Sequence, residues 1–234
     1  MLGGRMRLAV TGGGPCNSEV QSFIRTAFMM PLVQGYALTE TTCAGTIQKS
    51  SDPRNGVVGP PLSCLDILLR STPEVTDRSS KPYLDSDTSH YDEPCLGRGE
   101  VLIRGQNVSA GYFKLPEKTA AEFDKDGWFH TGDVGVWTKD GCLKIVDRLK
   151  NLIKLLGGEY IAVEAMEAAF NSSVYANGLN GGVLVYGDGE MDRAVALVQV
   201  NAAALKSWAK ANDVDATDLE KLCKDPKATK AVLD

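Results

Sequence analysis

Histidine is nearly absent from this 234-residue chain. His90 and His130 are the only two, and neither has a nucleophile partner in sequence that would support a Ser/His/Asp or Cys/His arrangement. Both are expected to be packed or solvated side chains, His90 within a polar segment. Cysteine is present but scattered. Cys16, Cys43, Cys64, Cys95, Cys142 and Cys223 never form C-x-x-C, and two histidines do not complete a zinc set, so the six are read as reduced, packed thiols. No run approaches the ~18 apolar residues of a membrane-spanning helix, and Met1 to Gly14 lacks the apolar core of a signal peptide. Excess positive charge is missing too. With 25 Lys+Arg against 30 Asp+Glu, the net charge of -5 disfavours nucleic acid as a partner and makes any phosphate chemistry local. The sequons at Asn107 and Asn171 are short enough to arise by chance, and the cysteine usage argues against secretion.

What is present is a globular composition, 43% apolar without low-complexity runs, enough for one or two domains. Met6 to Val10 is a short apolar run ending at Thr11-Gly-Gly-Gly-Pro. Ser18 and Gln21 then make a capping box for a helix whose core face is Val20, Phe23, Ile24, Ala27 and Phe28. A second apolar run, Leu32 to Gln34, follows Pro31. Strand, helix, strand in that order predicts a parallel pair. From Val57 the texture changes to short β-rich runs (Cys64 to Leu69, Val101 to Arg104, Trp128 to His130, Leu143 to Val146). The stretch 71–97, polar and without periodicity, is expected to be an exposed insertion. After Arg148 come a lysine-rich apolar stretch, a helix over Ala162 to Phe170, strands at Val183 to Val185 and Ala194 to Val200, and helical segments with a capping box at Thr217 and Glu220. The expected fold class is α/β and α+β. Residues 1–56 form the end of a large parallel-sheet domain, 57–147 its barrel-like β subdomain, and 148–234 a small α+β domain.

Gly127 to Glu167 holds the chemistry. Asp133 can accept from ribose hydroxyls, while Arg148, Lys150 and Lys154 can meet phosphate or carboxylate. Lys150 and Lys154 point the same way whether helical or extended, and Gly157-Gly158 after them suggests a loop presenting charge to a cleft. Gln34-Gly-Tyr-Ala-Leu-Thr-Glu places an aromatic, a hydroxyl and a carboxylate at the end of a parallel strand, where open α/β sheets bind ligands. Tyr36 suits a base, Thr39 a phosphate, and Glu40 a Mg2+ ion against it. Gly12 to Gly14 follow a strand and precede a helix, which lets backbone approach a ligand but matches neither common phosphate-loop pattern.

Taken in order, TGGGP, GYALTETT, GWFHTGD and IVDRLKNLIKLLGGEYIAVEAME resemble the adenylate-forming acyl-CoA synthetases, and GEYIA with the tail VNAAALKSWAK…LEKLCKDPKATKAVLD resembles the eukaryotic long-chain fatty acyl-CoA synthetases. The resemblance implies ATP-dependent activation of a fatty acid to acyl-AMP, then transfer to coenzyme A. It implies Gly13, Gly14 and Pro15 beside the adenine, with Gln34 and Gly35 in the same nucleotide site and Tyr36 stacked on the base. Thr39 would contact the α-phosphate, Glu40 Mg2+, Asp133 and Arg148 the ribose, and Lys150 the adenylate. Thr39, Glu40 and Lys154 would be the catalytic set, Asp147 the hinge, and Gly157, Gly158 and Glu159 the CoA face. Ala37 and Ala162-Val163 depart from the usual Gly and Ala-Pro. In the family pattern the phosphate-gripping loop precedes Met1 and a late lysine follows Asp234, so the chain is expected to be a fragment, inactive alone. A dead nucleotide-binding or interaction fragment, or a ligase for medium-chain or aryl acids, are the alternatives. The parent is expected in the cytoplasm or on the cytosolic face of a membrane such as the endoplasmic reticulum or peroxisome.

Overall fold

The computed structural model describes residues 4–77, 79–157, 160–178 and 181–233. β1 (Ala9–Thr11), α1 (Ser18–Phe28) and β2 (Leu32–Tyr36) form the expected parallel unit, with Ala9 opposite Leu32 and Thr11 opposite Gln34. β3 (Thr46–Ile47) adds antiparallel to β2. The cap of α1 is Asn17, not Ser18: its side-chain oxygen accepts from the N–H of Glu19 and Val20.

The orientation of α1 reverses the expectation. Val20 (44% exposed), Phe23 (69%) and Phe28 (50%) face outward, Ala27 is exposed, and Ile24 is half-buried. Gln21 and Arg25 turn inward instead. Gln21 Nε2 donates to the Leu32 carbonyl at 3.2 Å and to Gln48 Oε1 at 3.3 Å. The Arg25 guanidinium reaches the Leu32 carbonyl (2.8 and 3.0 Å), the Pro53 carbonyl (2.6 Å) and Asn55 Oδ1 (2.9 Å). Free backbone carbonyls in the facing segments need donors, and an amide and a guanidinium supply them where an apolar stripe would leave them unpaired.

The next unit comprises β4 (Leu65–Arg70), β5 (Thr72–Thr76), β6 (Pro82–Tyr83), β7 (Ser89–His90), β8 (Glu93–Gly105), α2 (Pro116–Glu122), β9 (Phe129–Thr138) and β10 (Leu143–Arg148). Four strands run antiparallel in the order β10-β9-β8-β4, and β7 pairs with one end of β8. Among the described residues β4 and β10 are not paired by hydrogen bonds, so the sheet is open rather than barrel-like. Its core is Val58, Leu65, Leu69, Val101, Ile103 and Leu143, one face of alternating strands covered by the segment before β4.

The 71–97 stretch is not a bare exposed insertion. Its β5 and β6 wrap Arg98, which is 1% exposed: Nη1 bonds Asp77 and Nε bonds Asp87, both at 2.6 Å, and Nη2 donates to the Pro82 carbonyl at 2.8 Å. The guanidinium lies 4.8 Å over the Tyr83 ring. His90 Nδ1 stands 3.1 Å from Arg98 Nη1, and burial with that neighbouring cation lowers its pKa to about 4. A buried cation needs such partners, and they come from residues that look like loop in sequence.

β11 (Leu152–Lys154) and β12 (Tyr160–Ala162) form a hairpin, followed by α3 (Val163–Phe170), the pair β13 (Val183–Tyr186) and β14 (Val195–Val198), and helices α4 (Ala202–Ala211), α5 (Leu219–Lys224) and α6 (Pro226–Leu233). Leu205, Ala209, Leu222 and Ala228 lock the last three helices together. Asp218 caps α5 through the N–H of Glu220 and Lys221, displacing the expected Thr217 box. All six cysteines are free, but only Cys95 and Cys142 are buried; Cys43, Cys64 and Cys223 are exposed rather than packed. Among the described residues no helix is long and apolar enough to cross a membrane.

Candidate functional site

A cleft of about 330 Å3 opens at the carboxyl ends of β1 and β2. One wall is the glycine turn. Gly13 takes φ +84°, a left-handed backbone that favours glycine, and Gly14 and Pro15 continue that wall. Gln34, Gly35 and Tyr36 of β2 form the floor, and Asp133 of β9 with Asp147 and Arg148 of β10 close the far side.

A β-bulge builds that far side. The register places Ile145 opposite Gly135 but Asp147 opposite Val134, so Val146 is an extra residue and Arg148 comes to face Asp133 directly. Asp133 is the centre. Tyr36 Oη donates to Asp133 Oδ2 at 2.6 Å across 97 residues of sequence, and Arg148 Nε stands 3.2 Å from Oδ1. The Asp133 N–H donates to Thr131 Oγ1 at 3.0 Å. Burial pushes the Asp133 carboxyl above its ordinary pKa, and the Tyr36 hydroxyl and Arg148 guanidinium oppose it. Burial and the same carboxylate hold the Tyr36 phenol well above its usual value, so it remains a donor. Two acceptor positions of Asp133 are taken, and an ionised carboxylate offers about four, which leaves room for a diol.

Asp147 is buried as well. Oδ1 accepts from the Arg148 N–H at 2.7 Å, while Oδ2 makes no hydrogen bond among the described residues. Burial raises its pKa, and the Glu164 charge raises it further. Glu164, in the first turn of α3, is a wall residue that the sequence did not single out; nothing in its local pattern distinguishes it from a solvated helix charge. Cys16 also lines the cleft, with its thiol pushed up by burial.

The structure thus brings together Gly13, Gly14, Pro15, Gln34, Gly35, Tyr36, Asp133, Asp147 and Arg148. Thr39 and Glu40 form a helical turn just past Leu38 at the rim and do not line the cleft. Tyr36 is engaged edge-on by its hydroxyl with Asp133 and packs its ring beside the sheet core. The lysines diverge from expectation. Lys150 is exposed on the turn Leu149–Asn151, and Lys154 points along the hairpin, with Nζ 5.7 Å from the centre of the Tyr160 ring. Pairing of β11 with β12 puts Lys154 opposite Tyr160 and away from the cleft. Gly157 is exposed beyond β11, and Gly158 and Glu159 lie outside the described residues. His130 is also outside the cleft, its ring nitrogens 3.7 Å from Glu100 and 3.5 Å from Asp124.

The family model for the AMP-binding enzymes matches residues 1–113. The chain is 37% identical over 232 residues to "Long chain acyl-CoA synthetase 6, peroxisomal" of Arabidopsis thaliana, covering 99% of this chain and 31% of that protein. It is 37% identical over 234 residues to the human "Long-chain-fatty-acid--CoA ligase 1", covering 30% of it. Among solved structures, the adenylation domain of a carboxylic acid reductase from Segniliparus rugosus, in complex with AMP and a carboxylic acid, superposes with TM-score 0.70 at 32% identity, over 95% of this chain and 32% of that one. The unliganded O-succinylbenzoate coenzyme A synthetase of Bacillus subtilis gives TM-score 0.62 at 26% identity, over 88% and 41%. The chain spans about 31% of the length of the curated relatives it matches. With the cleft and the sheet order agreeing, residues 1–113 are an AMP-binding enzyme family domain, and the chain as a whole is similar to long-chain fatty acyl-CoA ligases.

Proposed function

We propose that the protein carrying this chain activates a long-chain fatty acid with ATP to acyl-AMP and then transfers the acyl group to coenzyme A. The supporting observation is the buried Asp133 carboxylate, oriented from two sides by Tyr36 and Arg148 in a cleft edged by a glycine turn. A carboxylate held in this way and still short of hydrogen bonds suits the vicinal hydroxyls of a ribose. Gly13, Gly14 and Pro15 then border the base beside Gln34, Gly35 and Tyr36, and Thr39 faces the α-phosphate. Glu40 fits Mg2+: it is an oxygen donor at the rim, and among the described residues no cation pairs with it. Mg2+ bound there with ATP would neutralise phosphate charge. Arg148 supplies positive charge in the cleft, and Lys150, exposed in this arrangement, would reach the adenylate through the rotation described next.

Asp147 serves as the hinge between the β subdomain, 57–147, and the small domain, 148–234. Rotation there would exchange the residues facing the cleft and bring Lys154 and Gly157, Gly158 and Glu159 toward the CoA thiol. The protein would work in the cytoplasm or at the cytosolic face of a membrane; two relatives are named as peroxisomal.

Fatty-acid-dependent exchange of pyrophosphate into ATP by the full-length protein tests the assignment, with thioester formation from CoA as the second readout. No exchange with any acid from C8 to C20 would sink it. AMP titration by calorimetry into the 234-residue chain tests the site itself: Asp133→Ala should abolish the preference for AMP over 2′,3′-dideoxy-AMP, and an unchanged preference removes Asp133 from the ribose.

A further inference from the structure

Resting on the reading of Glu40 as a metal-binding carboxylate, we propose that Tyr112 is the positioning residue that fixes Glu40 in its binding orientation, anchored from behind by Glu122 and Lys118. The backbone under Glu40 is already secured. The Ser109 N–H donates to the Glu40 carbonyl at 2.7 Å, and Asn107 Nδ2 donates to the carbonyls of Thr41 (2.8 Å) and Ala44 (3.1 Å). Thr42 Oγ1 returns a bond to the Asn107 carbonyl at 2.8 Å. Only the side-chain torsions of Glu40 remain to be set.

A single contact sets them: Tyr112 Oη donates to Glu40 Oε1 at 2.7 Å, across 72 residues of sequence. Tyr112 is itself immobilised. Its N–H donates to Thr119 Oγ1 at 2.9 Å, Lys118 Nζ lies 4.1 Å over its ring, and Phe123 meets the ring edge-on at 5.8 Å. Gly111 makes this possible, because its φ is +126° and a Cβ there would collide with the Thr119 side chain. The Gly111-Tyr112 pair is thereby pressed against α2.

The phenol has two carboxylates to serve. Glu122 Oε2 also makes a short contact with Tyr112 Oη, yet a phenol has one proton to give. Glu122 has a cation of its own, Lys118 Nζ at 3.9 Å from Oε1, whereas Glu40 has none among the described residues. Tyr112 thus bridges the two carboxylates with one shared proton, and Lys118 adds positive charge on the Glu122 side. Glu40 Oε1 is held, its negative charge is not cancelled, and Oε2, which makes no hydrogen bond among the described residues, remains for an oxygen-seeking divalent ion. The sequence kept Tyr112 and Glu122 outside the site because they lie 72 and 82 positions beyond Glu40, in a segment with no motif of its own.

Mn2+ is the probe, read by the enhancement of water-proton relaxation when the Mn2+–ATP complex is titrated with the 234-residue chain, alongside calorimetry of metal-free AMP. Tyr112→Phe should weaken Mn2+ binding on the order of tenfold, the scale on which partners of metal ligands act, and leave metal-free AMP affinity as in the parent. Glu40→Gln should weaken Mn2+ binding at least as much. If Glu40→Gln acts and Tyr112→Phe does not, or if Tyr112→Phe weakens metal-free AMP equally, the positioning role is overturned while the metal role of Glu40 stands. If the unaltered chain binds no Mn2+ with ATP, or Glu40→Gln changes nothing, both fall.

Discussion

Replacing Tyr36 by Phe removes one hydroxyl and exposes how the cleft is held. Asp133 is buried, its side chain only 4% exposed, so the 2.6 Å bond from Tyr36 is not diluted by solvent. A hydrogen bond to a buried charged group contributes about 1.5–3 kcal/mol, and Phe fills the same ring volume, so the loss should be near the middle of that range, about 2 kcal/mol. Arg148, nearly half exposed, compensates little. With a urea m-value of about 2 kcal/mol/M, the midpoint should fall by roughly 1 M at pH 8. Trp137 packs on the same core as the Tyr36 ring, so its fluorescence reports the transition. The pH dependence is the stricter test. Tyr36 favours the ionised form of Asp133, which burial disfavours, so the coupling exists above the folded pKa of Asp133, itself raised above the usual carboxylate range, and is lost as pH falls through it. The gap between Tyr36→Phe and the parent should therefore narrow steadily toward acid. A gap that is constant with pH, or that widens toward acid, would refute the assignment of the bond to an ionised, buried Asp133.

Arg98→Met leaves Asp77, 2% exposed in its side chain, without its cation; the cost should be about 3–5 kcal/mol by urea unfolding, and Asp77→Asn added to it should recover a good part. Asp147→Asn should stabilise the chain by about 1 kcal/mol at neutral pH, because an unbonded carboxylate oxygen is buried there with Glu164 nearby. Burial raises the folded pKa of Asp147, so this benefit should vanish in melting curves taken below the ordinary carboxylate range, where both states are protonated. Leu143→Ala, at a fully buried position in the sheet core, should cost about 2–5 kcal/mol in the same unfolding assay.

Local pattern alone determined several parts of this protein. A strand, a glycine turn, a helix and a strand within 28 residues leave little topological choice, so the parallel β1–β2 pair and the ligand cleft at its carboxyl end were legible. The β-rich runs from Cys64 to Val146 and the helix of Ala162 to Phe170 were legible for the same reason, since period and turn residues act over short distances. The motif order placed Tyr36, Asp133 and Arg148 together without geometry, whereas Asp147, read as a hinge, enters the cleft wall only in the folded chain. Tertiary structure decided the rest wherever partners lie far apart in the chain. The apolar stripe of α1 faces out because the carbonyls of Leu32 and Pro53 recruit Gln21 and Arg25. The 71–97 segment acquires structure because Arg98, a residue of the neighbouring strand, needs Asp77 and Asp87 around its charge. Lys154 leaves the cleft because its strand pairs with β12, and Glu164 enters it because α3 packs where the chain turns back on β10. In each case the sequence specifies which groups need a partner, and only the folded chain, by bringing distant donors and acceptors within about 3 Å, decides which partner answers.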